Sequence, residues 1–146
     1  MTLFTKSSER YRLTASLCND GSMTTNPIHY QPYQKLIVWK EAHVLCRNIY
    51  QLTLQFPSYE KFALANQMRK SSYSVPTNIA EGTGKKSLKE RDHFFEHSSC
   101  SLEELHYQCY LAKDLSYITE QEFTEVEGKI RQVSYLLMRL RNSLKV

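Results

Sequence analysis

The sequence predicts an all-α protein: an antiparallel up-down-up-down four-helix bundle over residues 35–146, preceded by a poorly ordered leader over 1–34. Three observations predict it. Apolar residues recur at spacings of three and four along most of the chain, which marks one side of a helix. Glycine and proline number only four each in 146 residues, so long elements are favoured over turns. Stop and start signals stand at Phe56-Pro57-Ser58, between Gly82 and Ser87, and at Thr119-Glu120-Gln121-Glu122. Four helices joined by connections this short pack as antiparallel neighbours.

The first helix is expected over 35–55. Val38, Ala42, Leu45, Ile49, Leu52 and Phe56 line one side, and Trp39, His43, Tyr50 and Leu54 form a second, partly apolar flank. Phe56-Pro57-Ser58 ends it, with Ser58 as the expected cap of the next helix. That second helix runs from about Tyr59 with Leu64, Met68, Ser72, Val75 and Ile79 on one face. Much of this face is small, which lets helices approach closely. Lys61, Arg69 and Lys70 fall outside it and are expected in solvent.

The stretch from Ser72 to Ser87 joins the two halves. Pro76 has no backbone N–H and disfavours the α conformation at Val75, so it kinks a helix or restarts one, with Ser74 as the cap of a new turn. Gly82 and Gly84 are the candidates for positive φ behind a helix ending near Glu81. Ser87-Leu88-Lys89-Glu90 spells a capping box that opens the third helix.

The third helix, expected over 88–117, would span about 45 Å at 1.5 Å per residue. Phe94, Ser98, Leu102, Leu105, Cys109 and Ala112 form its core face. Nearly opposite lie His93, His97, Cys100, Glu104, Tyr107, Leu111 and Leu115. One bundle core needs one face, so the second points to a partner subunit. Thr119-Glu120-Gln121-Glu122 is another capping box. After it, Phe123, Val126, Ile130, Val133, Leu137, Leu140 and Leu144 alternate strictly in threes and fours, the seam of left-handed helical packing. Acidic residues crowd the start of this fourth helix and Arg139, Arg141 and Lys145 its end, which suits the helix dipole.

The leader carries Asn19-Asp20-Gly21-Ser22 and Asn26-Pro27 and no sustained period; a short amphipathic piece over 9–17 and a true start at Met23 are both compatible with it. The net charge of +4 permits attraction to a polyanion without demanding it, and three basic against two acidic residues in 1–34 show that the excess is not a basic arm. Cys18, Cys46, Cys100 and Cys109 form no CxxC pair, and no apolar run is long enough for a signal peptide or membrane span. Free thiols in a reducing cytoplasm are expected, with no membrane association.

No catalytic residue and no cofactor is assigned. His93-Phe94-Phe95-Glu96-His97 matches the letters of an inverted zinc-peptidase motif, but no third ligand is identifiable and a helical chain offers no sheet edge for a peptide. His93, His97, Cys100 and Glu104 lie within about 60° of one another around a helix. Such a stripe could meet its copy around zinc in a symmetric oligomer; as the more ordinary reading is a solvated or interfacial face, no metal site is assigned. Gly82-Thr83-Gly84-Lys85-Lys86-Ser87 lacks the first glycine and the preceding strand of a phosphate-binding loop. The best polyanion candidate is Lys85, Lys86, Lys89 and Arg91, at a helix N-terminus behind glycines, where backbone donors, dipole and side chains all favour a phosphate. Its plain alternative is a solvated turn. Lys129, Arg131, Arg139, Arg141 and Lys145 form a second basic group, spread around the fourth helix.

Six blocks, in order and at matching spacings, carry a family resemblance: Leu36-Ile37-Val38-Trp39-Lys40-Glu41-Ala42, Ile49-Tyr50-Gln51-Leu52-Thr53, Phe56-Pro57-Ser58-Tyr59-Glu60, Asn66-Gln67-Met68-Arg69-Lys70-Ser71, Val75-Pro76-Thr77-Asn78-Ile79-Ala80-Glu81-Gly82 and Ser101-Leu102-Glu103-Glu104-Leu105. Over residues 35–146 the chain resembles the four-helix-bundle proteins encoded in intervening sequences of bacterial 23S ribosomal RNA genes. That family looks related to the accessory variability proteins of diversity-generating retroelements, ring-shaped homopentamers that assist a reverse transcriptase and its template RNA. The resemblance therefore implies a non-catalytic, homo-oligomeric accessory protein that binds RNA or DNA. A helical oligomer that recognises only a protein partner is the alternative. Glu96-His97-Ser98-Ser99-Cys100 departs from the aliphatic and small residues usual in the family.

Overall fold

The computed structural model describes residues 30–145. Most of the leader, the amphipathic piece over 9–17 and the candidate start at Met23 lie outside the described residues. Four long helices dominate: α1 (Ile37–Leu52), α2 (Leu64–Thr83), α3 (Leu88–Asp114) and α4 (Glu120–Asn142). Short 3-10 turns at Pro32–Lys35, Thr53–Gln55, Ser58–Glu60 and Ser143–Lys145 flank them, and no strand occurs among the described residues. The protein is an all-helical four-helix bundle. α1 and α3 each pack against both α2 and α4.

α1 buries the expected stripe, with Ala42, Leu45 and Ile49 fully enclosed and Phe56 closing the lower end, while Leu52 is only half-buried. Its last turn tightens because the Thr53 hydroxyl donates to the carbonyls of Ile49 (2.9 Å) and Tyr50 (3.1 Å). The second flank stays outside the core: Trp39 is half-buried and stacks on the exposed His43 at 5.3 Å, and Leu54 is 70% exposed.

α2 starts later than its sequence predicts, and Ser58 does not cap it. Ser58 lies inside a separate 3-10 turn, and the first free N–H of α2, on Leu64, donates to the Glu60 carboxylate at 3.0 Å. A long-range contact fixes that carboxylate, since its other oxygen accepts from the Tyr117 hydroxyl at 3.0 Å. Local capping signals could not reveal this. Arg69, expected in solvent, is half-buried and donates to the Thr53 hydroxyl at 2.8 Å; Lys61 and Lys70 are exposed as expected.

Pro76 does not restart the helix. α2 continues through it unbroken, and Pro76 is buried. An interior proline costs a helix about 3 kcal/mol, so packing on both sides outweighs local preference here. Ser74 consequently caps nothing; its hydroxyl meets that of Ser101 on α3 at 2.9 Å. One turn along, the buried Ser98 hydroxyl donates to the Val75 carbonyl at 3.0 Å. Neither Gly82 nor Gly84 has positive φ. Gly82 is glycine because a Cβ there would lie 2.7 Å from Phe95 Cε1, so the α2–α3 seam closes backbone against ring.

On α3 the core aromatic is Phe95 rather than Phe94, which is half-buried; Ser98, Leu102, Leu105, Gln108, Cys109 and Ala112 continue the face. Ser87 accepts from the Glu90 N–H at 3.4 Å. α3 ends at Asp114, and Ser116 provides the left-handed residue (φ 60°) with bonds from Tyr117 N–H to the Ala112 carbonyl and Ser116 N–H to that of Lys113, a Schellman ending without glycine. α4 opens on the complete Thr119/Glu122 capping box and buries Phe123, Val126, Ile130, Val133 and Leu137, the predicted seam. Burial works to raise the Glu122 carboxyl, but hydrogen bonds from Thr119 and Gln55 together hold it below the usual range.

Candidate nucleic-acid interface

The turn between α2 and α3 gathers the first basic group. After Thr83 the chain makes one tight turn, with Lys85 N–H donating to the Gly82 carbonyl at 3.1 Å. Arg91 Nε donates to the Lys85 carbonyl at 2.6 Å, so its guanidinium closes the turn, while Lys85 Nζ lies over the Phe94 ring, 4.7 Å from its centre. Lys86 and Lys89 are exposed, and among the described residues neither has an ion-pair partner. Two lysines thus stand free at the positive end of a 27-residue helix, where an anion is favoured. Arg91 and Lys85 shape the platform that carries them.

The second group is not brought together. Lys129 Nζ pairs with Glu41 at 3.3 Å, and Arg131 pairs with Glu127 one turn back on its own helix at 3.0 Å. The Arg131 guanidinium holds the Glu127 carboxyl below its usual range. Arg139 lies beside the Tyr135 ring at 5.9 Å. Arg141 makes a two-pronged bond to Asp92, 2.8 and 3.1 Å, and reaches Glu96 at 3.7 Å. That bond holds the Asp92 carboxyl below its ordinary value and raises the arginine in turn.

The Arg141–Asp92 clamp has a second consequence. It sets the last turns of α4 beside the first turns of α3, so Arg141 and Lys145 share one end of the bundle with the basic turn. Lys145, a member of the second basic group in the sequence, reaches this end because the end of the fourth helical segment meets the start of the third.

On the outer side of α3, His93 and His97 are exposed with their Nε2 atoms 3.1 Å apart. Cys100, Glu104 and Tyr107 continue the exposed stripe. Among the described residues no group of three or more His, Cys, Asp or Glu is placed to hold a metal ion. No described helix is long and apolar enough to cross a membrane.

The fold is an all-helical four-helix bundle with a basic turn at one end. The chain belongs to the 23S rRNA-intervening sequence protein family, whose model matches residues 34–139. A solved structure supports the fold: that of a protein of unknown function from the S23 ribosomal protein family of Bacteroides thetaiotaomicron VPI-5482, with a TM-score of 0.65 and 18% identity over 72% of this chain and 98% of that one. No curated protein matches the chain.

Proposed function

We propose that this chain is a non-catalytic, homo-oligomeric accessory protein of the cytoplasm that binds nucleic acid, RNA foremost, through the turn between α2 and α3. The observation that carries the reading is the pair Lys86 and Lys89, exposed at a helix N-terminus on a turn held by Arg91. The RNA is that of a ribosomal intervening sequence or the template of a retroelement, in which case a reverse transcriptase is the protein partner. The helices run antiparallel, up-down-up-down. Supporting this order, Gly82 meets Phe95, Ser74 meets Ser101, and Gln55 at the end of the first helical segment meets Glu122 at the start of α4. Self-association is supported by the apolar surface left uncovered, including Phe62 (83% exposed) and Leu54; a ring-shaped homopentamer is the form that the family resemblance implies.

Fluorescence anisotropy of the full chain on single-stranded RNA tests the reading. Affinity falls steeply with salt, and the double variant Lys86→Glu/Lys89→Glu reduces the slope of log affinity against log salt by about two. Arg91 is left intact because it builds the turn. An affinity indifferent to both salt and the double variant would end this reading. The same exposed apolar residues support the second reading, a scaffold for a protein partner, which predicts co-purification that survives nuclease treatment.

A further inference from the structure

The arrangement of His93 and His97 goes beyond nucleic-acid binding. The two residues lie one turn apart on the outer side of α3, both exposed, with ring centres 4.5 Å apart, planes at 78° and Nε2 atoms separated by 3.1 Å. At that separation one ring can donate a hydrogen bond to the other, in the tautomer that puts a proton on its Nε2. The same spacing suits a metal ion held by both. With metal–nitrogen bonds of about 2.1 Å, two imidazoles are about 3.0 Å apart in adjacent octahedral positions and about 3.4 Å apart in tetrahedral ones. The observed separation falls between these values, so small side-chain rotations serve either geometry.

We propose that His93 and His97 form a two-imidazole site for a late first-row divalent cation such as Zn²⁺, Ni²⁺ or Cu²⁺, with water filling the remaining positions. Neutral imidazole is the ligand these ions favour, and residues four apart on a helix present their rings to one point. Of the nearby cations, Arg141 is clamped by Asp92 and Glu96, while Lys89, one turn before His93, is exposed to solvent. Cys100 and Glu104 follow on the same stripe one and two turns further, too far along the axis to join the same ion from one chain. The site is thus open on the solvent side.

The experiment uses the untagged full chain, titrated with Zn²⁺ and with Co²⁺ by calorimetry, alongside His93→Gln and His97→Gln. Each variant is expected to weaken binding about a hundredfold, because chelation makes the second ligand intramolecular. In the wild-type chain, substoichiometric Cu²⁺ is expected to broaden the His93 and His97 ring resonances before those of the other histidines. That arm needs no substitution and no nucleic acid, so it stands even if RNA binding fails. Equal affinities for wild type and both variants, or broadening that begins at another histidine, would overturn the site.

Discussion

Gly82 and Phe95 touch so closely that no side chain fits between them. A Cβ at position 82 would lie 2.7 Å from Phe95 Cε1 and 3.0 Å from Phe94 Cβ, and Phe95 is buried. Gly82→Ala therefore forces α2 and α3 apart. Overpacking costs about 1–3 kcal/mol, against which helix propensity returns at most about 1 kcal/mol. Urea denaturation should show a net loss of stability with the slope unchanged.

Gly128, inside α4, is the control. A Cβ there meets nothing within 4 Å, so Gly128→Ala should raise stability by up to about 1 kcal/mol through propensity and the restriction of the unfolded chain. The two substitutions are chemically identical, and opposite signs in one denaturation series would isolate the effect of the seam.

The thiols should separate by reactivity. Cys100 is exposed, Cys46 is half-buried beside the Ser72 hydroxyl at 3.6 Å, and Cys109 is buried, which pushes its thiol up to about 12. At pH 8 only about one Cys109 in ten thousand is thiolate. In a Cys18→Ser background, iodoacetamide should label Cys100 first and Cys109 only on unfolding, as read by mass spectrometry of peptides. Because the folded thiol keeps its proton up to about 12 while the unfolded one releases it near 9.0, Cys109 lowers stability as pH rises between those values.

Arg141→Ala should free Asp92. With its bidentate partner gone, the Asp92 carboxyl returns toward its ordinary value, an upward shift that NMR titration of that side chain would register. The folded carboxyl is depressed, so the clamp's contribution is present above the unfolded value of 3.8 and is lost as pH falls through the lower folded one. Solvent screens this pair, and the stability change at pH 7 should stay below about 1 kcal/mol.

The four helices and the α4 seam were legible because periodicity is a local record of which side is dry: Phe123, Val126, Ile130, Val133 and Leu137 all lie where the spacing put them. The choice of Phe95 over Phe94 was not, since adjacent aromatics differ by only 100° and the closeness of Gly82 decides between them. Pro76 and Ser58 misled for a related reason. Both carry local signals, and tertiary contacts through Ser98 and through the Tyr117–Glu60 bond outweigh them. Among the basic residues, the sequence pattern located the turn at Lys85, Lys86, Lys89 and Arg91, but it could not show that Lys129, Arg131 and Arg141 already have carboxylate partners from other turns or helices.

Residues 53–63 and 115–119 are far apart in the chain yet share their bonds. The Tyr117 hydroxyl donates to Glu60, Gln55 Nε2 donates to the Tyr117 carbonyl at 3.4 Å, and the Phe56 and Tyr117 rings pack 5.4 Å apart. Neither connection can swing outward without breaking the other's contacts. This end of the molecule should therefore behave as a single clasp: its amides exchange with deuterium together, and a protease that nicks one segment releases both.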